Sequence, residues 1–326
     1  MHRDKAQKTA NVVTLGEALI RYSPRGCQRL EQANAFDSYV AGAESNFAVA
    51  CSRLSLKSAW ISKLTCDPFG KRIELRIAQH GVDTTSVVWT DEHRVGKYYV
   101  ELGKPPRPTC VYYDRAHSAF CSLQPDEVDW QKIRSATVFH TTGITPALSD
   151  TCQAVTLKAL QEAHQAGVWV SFDINYRAKL WTADKAGNVL RELLSYVDCV
   201  IISKRDASSV FGQKGTDERI LSWVLETFDP QIAVLTLGET GAIAGDGQKI
   251  CRVNAFPTET VDPIGTGDAF AAGFVCGFLT TQDVQRALTY ASAVAALKRT
   301  IPGDEALVSV QEVETLLSQH NNQIQR

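Results

Sequence analysis

The chain has 326 residues, 44% hydrophobic and 21% charged, a balance that supports a real core and either one large α/β domain or two ordinary ones. A net charge of −2 offers no global attraction for nucleic acid or an anionic membrane, so any anionic substrate must be met by local cations. Nine cysteines without a C-x-x-C pair, and no H-E-x-x-H, exclude the common zinc frameworks and point to reduced, mostly buried thiols.

In chain order, "MHRDKAQKTA" is charged with no apolar segment behind it, so it reads as a polar tail rather than a secretory signal. No apolar run approaches the roughly 20 residues that span a bilayer, and a soluble, cytoplasmic protein is expected. "VVTLGE" predicts a strand, "SNFAVACSRL" a helix, "SAWISKL" a strand, and "PFGKRIELRIAQHG" a helix ended by Gly81. "GKYYVEL" and "TCVYYDR" are rich in Tyr and Val with a two-residue period, and the Pro-rich "GKPPRP" separates them. They predict a β-hairpin that projects as a flap. From "TVFHTTG" onward the pattern alternates. A helix from about Asp150 to Ala166 carries Ala154, Leu157 and Leu160 on one side, then follow strand "VWVSFDIN", a helix through about Leu194, and strands "CVIIS" and "IAVLTLG". Apolar strands between amphipathic helices imply a parallel sheet covered on both faces. Ligands bind beyond the carboxyl ends of such strands, here "TTGITP", "DINYR", "SKRD" and "TLGETG". The final residues, 319–326, read as a second polar tail.

Five stretches could carry chemistry. In "VDPIGTGDAF" the glycines Gly265 and Gly267 flank Thr266, and Asp268 opens a small, apolar helix. Free N–H groups at a helix start bind anions, and residues without Cβ let a phosphate approach. Asp268 reads either as the N-cap or as an acid presented to a ligand. Neither G-x-x-x-x-G-K-[ST] nor G-x-G-x-x-G is present. "AGAESN" is a glycine turn that opens a helix with Glu44, Ser45 or Asn46 as cap. "VYYDRAHSA", with Tyr98, places Arg115 in the flap, where a guanidinium can fork onto a carboxylate. Asp173, Asn175 and Arg177 in "DINYR" fall on one face of an extended segment. "TLGETG", with Thr236, Gly238, Thr240 and Gly241, is a strand and tight turn suited to a nucleotide.

Together these stretches resemble the ribokinase-like (PfkB) family of carbohydrate kinases over about residues 11–315, above all in "DPIGTGDAFAAGF". Within that family the opening "GE", "GAE-x-N", "GITPALS", "NYR…LW" and the Tyr–Arg flap are most similar to 2-keto-3-deoxygluconate kinases. The resemblance implies a doubly wound, mainly parallel α/β domain over residues 11–318, with a β lid built from about 20–42 and 95–119. It implies ATP and Mg2+ as cofactors, Asp268 as general base, and the Gly265–Gly267 turn as anion hole. It assigns Gly42, Asn46, Tyr98, Tyr113, Arg115, Asn175 and Arg177 to the acid sugar. It assigns Thr236, Gly238, Thr240, Gly241, Gly265, Thr266 and Gly267 to ATP. Asp206 is the candidate metal carboxylate, and a homodimer or higher oligomer is compatible. The alternatives are a kinase for fructose or a nucleoside, and a non-catalytic sugar-binding protein. Three positions depart from the family pattern: Ala41 replaces a glycine, "YYDRAHSA" carries Asp114 and His117 where relatives have tyrosine and glycine, and "SKRD" replaces N-x-x-E.

Overall fold

Residues 11–324 are described in the computed structural model of the chain; the N-terminal tail lies outside them. The first elements are β1 (Asn11–Leu15), β2 (Leu19–Pro24), β3 (Phe36–Ala41), α1 (Ala43–Arg53), β4 (Lys57–Thr65) and α2 (Pro68–Ala78). Short strands β5 (Val82–Asp83) and β6 (Val87–Thr90) precede β7 (Lys97–Glu101) and β8 (Cys110–Asp114). The middle alternates as α3 (Trp130–Arg134), β9 (Val138–Thr142), α4 (Asp150–Gln165), β10 (Trp169–Asp173), α5 (Ala183–Leu193), β11 (Cys199–Ser203) and α6 (Lys204–Phe211). The chain closes with α7 (Asp217–Phe228), β12 (Ile232–Thr236), β13 (Ala242–Gly245), β14 (Ile250–Val253), α8 (Thr266–Thr281), α9 (Val284–Arg299) and α10 (Val310–Ile324). Residues 319–324 of the segment read as a tail thus continue the last helix, and residues 325 and 326 lie outside the described residues.

The main sheet has ten strands in the order β14-β13-β12-β11-β10-β9-β1-β4-β5, with β6 pairing β4. Its pairs from β12 to β5 are parallel, and β13 and β14 run antiparallel at one edge. The strands read as unbroken apolar runs because both faces are buried. Val12, Val138, Ile201 and Val234 pack toward α1, α8 and α9, whereas Val13, Phe139, Val200 and Leu235 pack into a second core with α4, α5 and α7. The strand–helix alternation expected from the sequence is present. The inward face of α4 differs. Val155, Ala159 and Ala163 are buried, together with Cys152 and Thr156, while Ala154 is exposed and Leu157 half-buried. Two residues of intermediate polarity act as core there, which shifts the stripe.

A separate four-stranded sheet, β3-β2-β7-β8, forms the lid. β7 and β8 make the expected hairpin, and β2 joins it in parallel with Arg21 opposite Tyr98. Helices α8 and α9 come close because a Cβ on Gly273 would lie 2.9 Å from the Ala291 Cα, and one on Gly277 would lie 3.0 Å from the Ala287 Cα. All nine cysteines are free thiols. No helix among the described residues is long and apolar enough to cross a membrane.

Candidate active site

Asp173, Ser203 and Thr236 are the last residues of β10, β11 and β12. All three line a cleft of about 970 Å3, whose walls include the lid residues Leu19, Tyr98, Val111 and Tyr113. The cleft therefore lies where a parallel sheet offers its free strand ends.

Helix α8 points its N-terminus into this cleft. Gly265 is its N-cap at φ 81°, and a Cβ there would lie 2.0 Å from the Asp304 carbonyl oxygen, so glycine is required. The first bond of the helix runs from Ala269 N–H to the Gly265 carbonyl at 3.0 Å, while Thr266 N–H turns back to Pro263 at 3.3 Å. The N–H groups of Gly267 and Asp268 have no backbone acceptor among the described residues, and both residues line the cleft. Nothing lies within 4 Å of where a Gly267 Cβ would be, so the space before these donors is open.

Asp268 is thus the third residue of α8 and not its cap. Its Oδ2 accepts a hydrogen bond from Asn46 Nδ2 at 2.7 Å. Burial pushes its carboxyl up to about 6, against the opposing influence of Asn46 and the Arg177 charge. Asn46 is held in the first turn of α1, where its N–H donates to the Gly42 carbonyl at 2.7 Å. Gly42 is needed there because a Cβ would lie 2.3 Å from the Glu17 carbonyl oxygen. Glu44 does not cap α1. Its Oε1 accepts from Thr142 Oγ1 at 2.8 Å and Thr145 Oγ1 at 2.7 Å, so "GAE-x-N" and "GITPALS" bind each other. Burial pushes Glu44 up to about 7 despite these bonds.

The flap arginine differs from the sequence reading. Arg115 Nε donates to Glu17 Oε2 at 2.9 Å, its Nη2 reaches the same oxygen, and Ser118 donates to Oε1. Arg115 lines the cleft, yet its charge is answered by the buried Glu17, so it does not supply the free positive field expected of it. Arg177 has no carboxylate within 4 Å among the described residues, although its charge acts on Asp173, Asp206 and Asp268; Lys179 and Arg205 on the cleft wall also lack a carboxylate within 4 Å. The "DINYR" segment is not extended as expected. β10 ends at Asp173 and Asn175 turns at φ 40°, but Asp173, Asn175 and Arg177 all line the cleft. Asp114 points away and pairs with Arg94 at 2.6 Å, and His117, where relatives carry glycine, adopts a left-handed φ of 56°.

Tyr98, Tyr113, Gly42 and Gly265 also line the cleft. An adjoining pocket of about 210 Å3 shares Thr236, Thr266 and Gly267 with it and adds Gly238 and Gly241. Thr240 is not in its lining; its exposed side chain donates to the Leu237 carbonyl at 2.9 Å. The pocket's apolar wall of Phe256, Phe270, Ala295 and Ala296, with Arg299 beside it, escaped the sequence reading because small and aromatic residues read as core, in α8 and α9 above all. Asp304, Glu17 and Arg21 also escaped it as partners, since pairing across the whole chain leaves no periodic signal.

Among the described residues no three His, Cys, Asp or Glu side chains form a metal cage. Asp206, on α6, is half-buried in the cleft wall, and burial raises its pKa. Asp173 is pushed up to about 8, first by burial and then by the charges of Asp268 and Asp206. Asp173 and Asp206 both face the cleft, and such a pair suits Mg2+, which keeps its waters and takes one or two carboxylates besides phosphate oxygens.

The sequence model of pfkB family carbohydrate kinases matches residues 9–309. The chain belongs to this family. A 2-dehydro-3-deoxygalactonokinase of Haloferax volcanii is 43% identical over 309 residues, 95% of this chain and 97% of the relative. A solved 2-dehydro-3-deoxygluconokinase of Thermotoga maritima superposes with a TM-score of 0.91 at 33% identity, covering 95% of this chain and 98% of its own. A putative ribokinase II from E. coli, solved in complex with ATP and Mg2+, superposes with a TM-score of 0.87 at 25% identity, covering 95% and 100%. The protein is a carbohydrate kinase on a ribokinase-like fold, in a family that uses ATP and Mg2+.

Proposed function

We propose that this kinase transfers the γ-phosphate of ATP to the primary hydroxyl of a 2-keto-3-deoxy sugar acid. The observation that carries the reading is one cleft holding a raised-pKa carboxylate, two free helix N–H groups and an arginine with no carboxylate within 4 Å among the described residues. Arg177 holds the sugar carboxylate, with Arg115, Tyr98 and Tyr113 forming the wall against which the sugar lies. Asn46 Oδ1 is buried without a partner among the described residues, an acceptor that a sugar hydroxyl satisfies.

Asn46 fixes one oxygen of Asp268, and the other accepts the hydroxyl proton as the sugar oxygen attacks phosphorus. Help of this kind is worth about 10²–10⁴-fold. The Gly267 and Asp268 N–H groups receive the oxygens of the transferred phosphoryl group, where charge builds. The nucleotide lies along Thr236, Gly238 and Gly241 with its base against the apolar wall of the smaller pocket. Asp206 is the carboxylate offered to Mg2+, which supplies neutralisation of phosphate charge when bound. The lid keeps water from the γ-phosphate.

The gluconate epimer is the reading favoured by the sequence motifs; the galactonate epimer is favoured by the 43% identity to the Haloferax enzyme. ADP release measured over both epimers, fructose, ribose and adenosine separates them. Activity on a sugar acid that Asp268→Ala abolishes without loss of sugar binding is expected. Turnover confined to neutral sugars or nucleosides overturns the acid-sugar reading. Sugar binding with no ADP release from the unaltered chain overturns catalysis itself.

A further inference from the structure

A group of polar side chains, of which this mechanism uses only Tyr98, is buried between the lid and the glycine turn. Arg21, on β2, is fully buried. Its Nη1 donates to Asp304 Oδ1 at 2.8 Å, its Nη2 lies 2.8 Å from Asp262 Oδ2, and its Nε donates to Ser23 Oγ at 2.9 Å. Tyr98, on β7, donates to the other oxygen of Asp304 while its ring lines the cleft. Tyr39, on β3, covers the guanidinium at 5.2 Å and packs on Gly303. From the body of the molecule Lys298, fully buried near the end of α9, donates to the Asp262 carbonyl at 3.0 Å. Asp262 in turn accepts from the N–H groups of Ile264 and Gly303, each at 3.0 Å.

Two cations and two carboxylates here cancel in charge, yet burying them is costly and returns little net stability. Their placement gives them a use. Asp262 opens the turn that leads to Gly265, and the Asp304 carbonyl fills the space a Gly265 Cβ would occupy. Three lid strands are therefore joined to the phosphate-binding turn by a continuous set of polar contacts.

We propose that Arg21 is a positioning residue that couples the lid to this turn. Seating the sugar against Tyr98 fixes Asp304 and Asp262, and through them the N–H groups of Gly267 and Asp268. Phosphoryl transfer then becomes efficient only with sugar in place. The sugar half of this coupling rests on the proposed function; the link between lid and turn does not.

Tyr98→Phe, Arg21→Lys and Arg21→Met test it. Without ligand, amide hydrogen exchange over residues 262–268 is expected to quicken in Tyr98→Phe and Arg21→Lys, with exchange in α4 unchanged. In the unaltered chain, 2-keto-3-deoxygluconate or its galactonate epimer should raise the affinity for the ATP analogue AMP-PNP by about tenfold, a common size for coupled sites. That gain should fall below about twofold in Tyr98→Phe and Arg21→Lys, while affinity for AMP-PNP alone is unchanged. kcat should fall more than KM for ATP rises, and Arg21→Lys should retain more of it than Arg21→Met. Unchanged exchange in the turn, or an undiminished sugar-dependent gain in the variants, overturns the proposal. If neither sugar acid binds the unaltered chain, the functional reading fails, and the exchange measurement still decides the link.

Discussion

Asn46 touches only one carboxylate oxygen of Asp268, and that contact opposes the larger effect of burial on the acid's pKa as well as fixing its direction. The bond stabilises the charged form, so its removal raises a pKa that already stands at about 6. Asn46→Ala should therefore shift the acidic limb of the pH profile of kcat/KM upward, with a larger loss at pH 6 than at pH 8; a limb that stays in place shows that Asn46 does not tune the base. Asp268→Asn should reduce kcat by about 10²–10⁴-fold at every pH, as expected for loss of a general base. At this scale the sequence was informative about residue types and silent about pairing. Asp268, Arg177 and the flap tyrosines stood out because polar groups at turn and strand ends lack a packing role. Nothing in the order of residues says that Glu17 neutralises Arg115, because the two are 98 positions apart and meet only where the lid sheet brings the end of β8 near the start of β2.

The turn before α8 shows how two neighbouring glycines answer different demands. Gly265 sits at φ 81° with the Asp304 backbone against it, so Gly265→Ala must strain the turn or displace the loop. The left-handed conformation alone costs roughly 1–2 kcal/mol for a residue with Cβ. A fall of several degrees in melting temperature is expected along with lost turnover. Gly267 has open space before it, so Gly267→Ala should fold with an unchanged melting temperature and, on the proposed function, lose kcat, because its methyl group enters the space proposed for the phosphoryl oxygens. Equal melting losses for both variants would refute this division. The strand–helix alternation that delivers the turn was legible in the sequence, since Val, Ile and Phe runs bounded by turn residues have one simple meaning. The joining of β2 to β7 was not, because parallel partners far apart in the chain share no local pattern.

Across the whole molecule, protons bind the folded chain more tightly than the unfolded one at Asp173, pushed to about 8, and at Glu44, pushed to about 7. Wherever the folded state holds more protons, stability falls as pH rises. Below about pH 6.5 buried His140 and His80, lowered to about 3 and about 4, act in the opposite sense, so the carboxylates dominate only above that. The melting temperature should therefore decline from pH 6.5 to 8, and Asp173→Asn should flatten the decline; a profile unaltered by that change would place the proton elsewhere. The proposed general base Asp268 on α8 and its hydrogen-bond partner Asn46 on α1 come from opposite ends of the chain, as do Arg21 and Asp304. Such contacts close the longest loops in the molecule and are the last to be rewarded during folding. On the ribosome, the alternating middle of the sheet is made while the chain still lacks the proposed base and the helices α8 and α9 that cover one of its faces. A growing or truncated chain thus lacks the proposed base together with the turn and the wall of the smaller pocket, and on this reading the ability to do chemistry arrives only when the two ends meet.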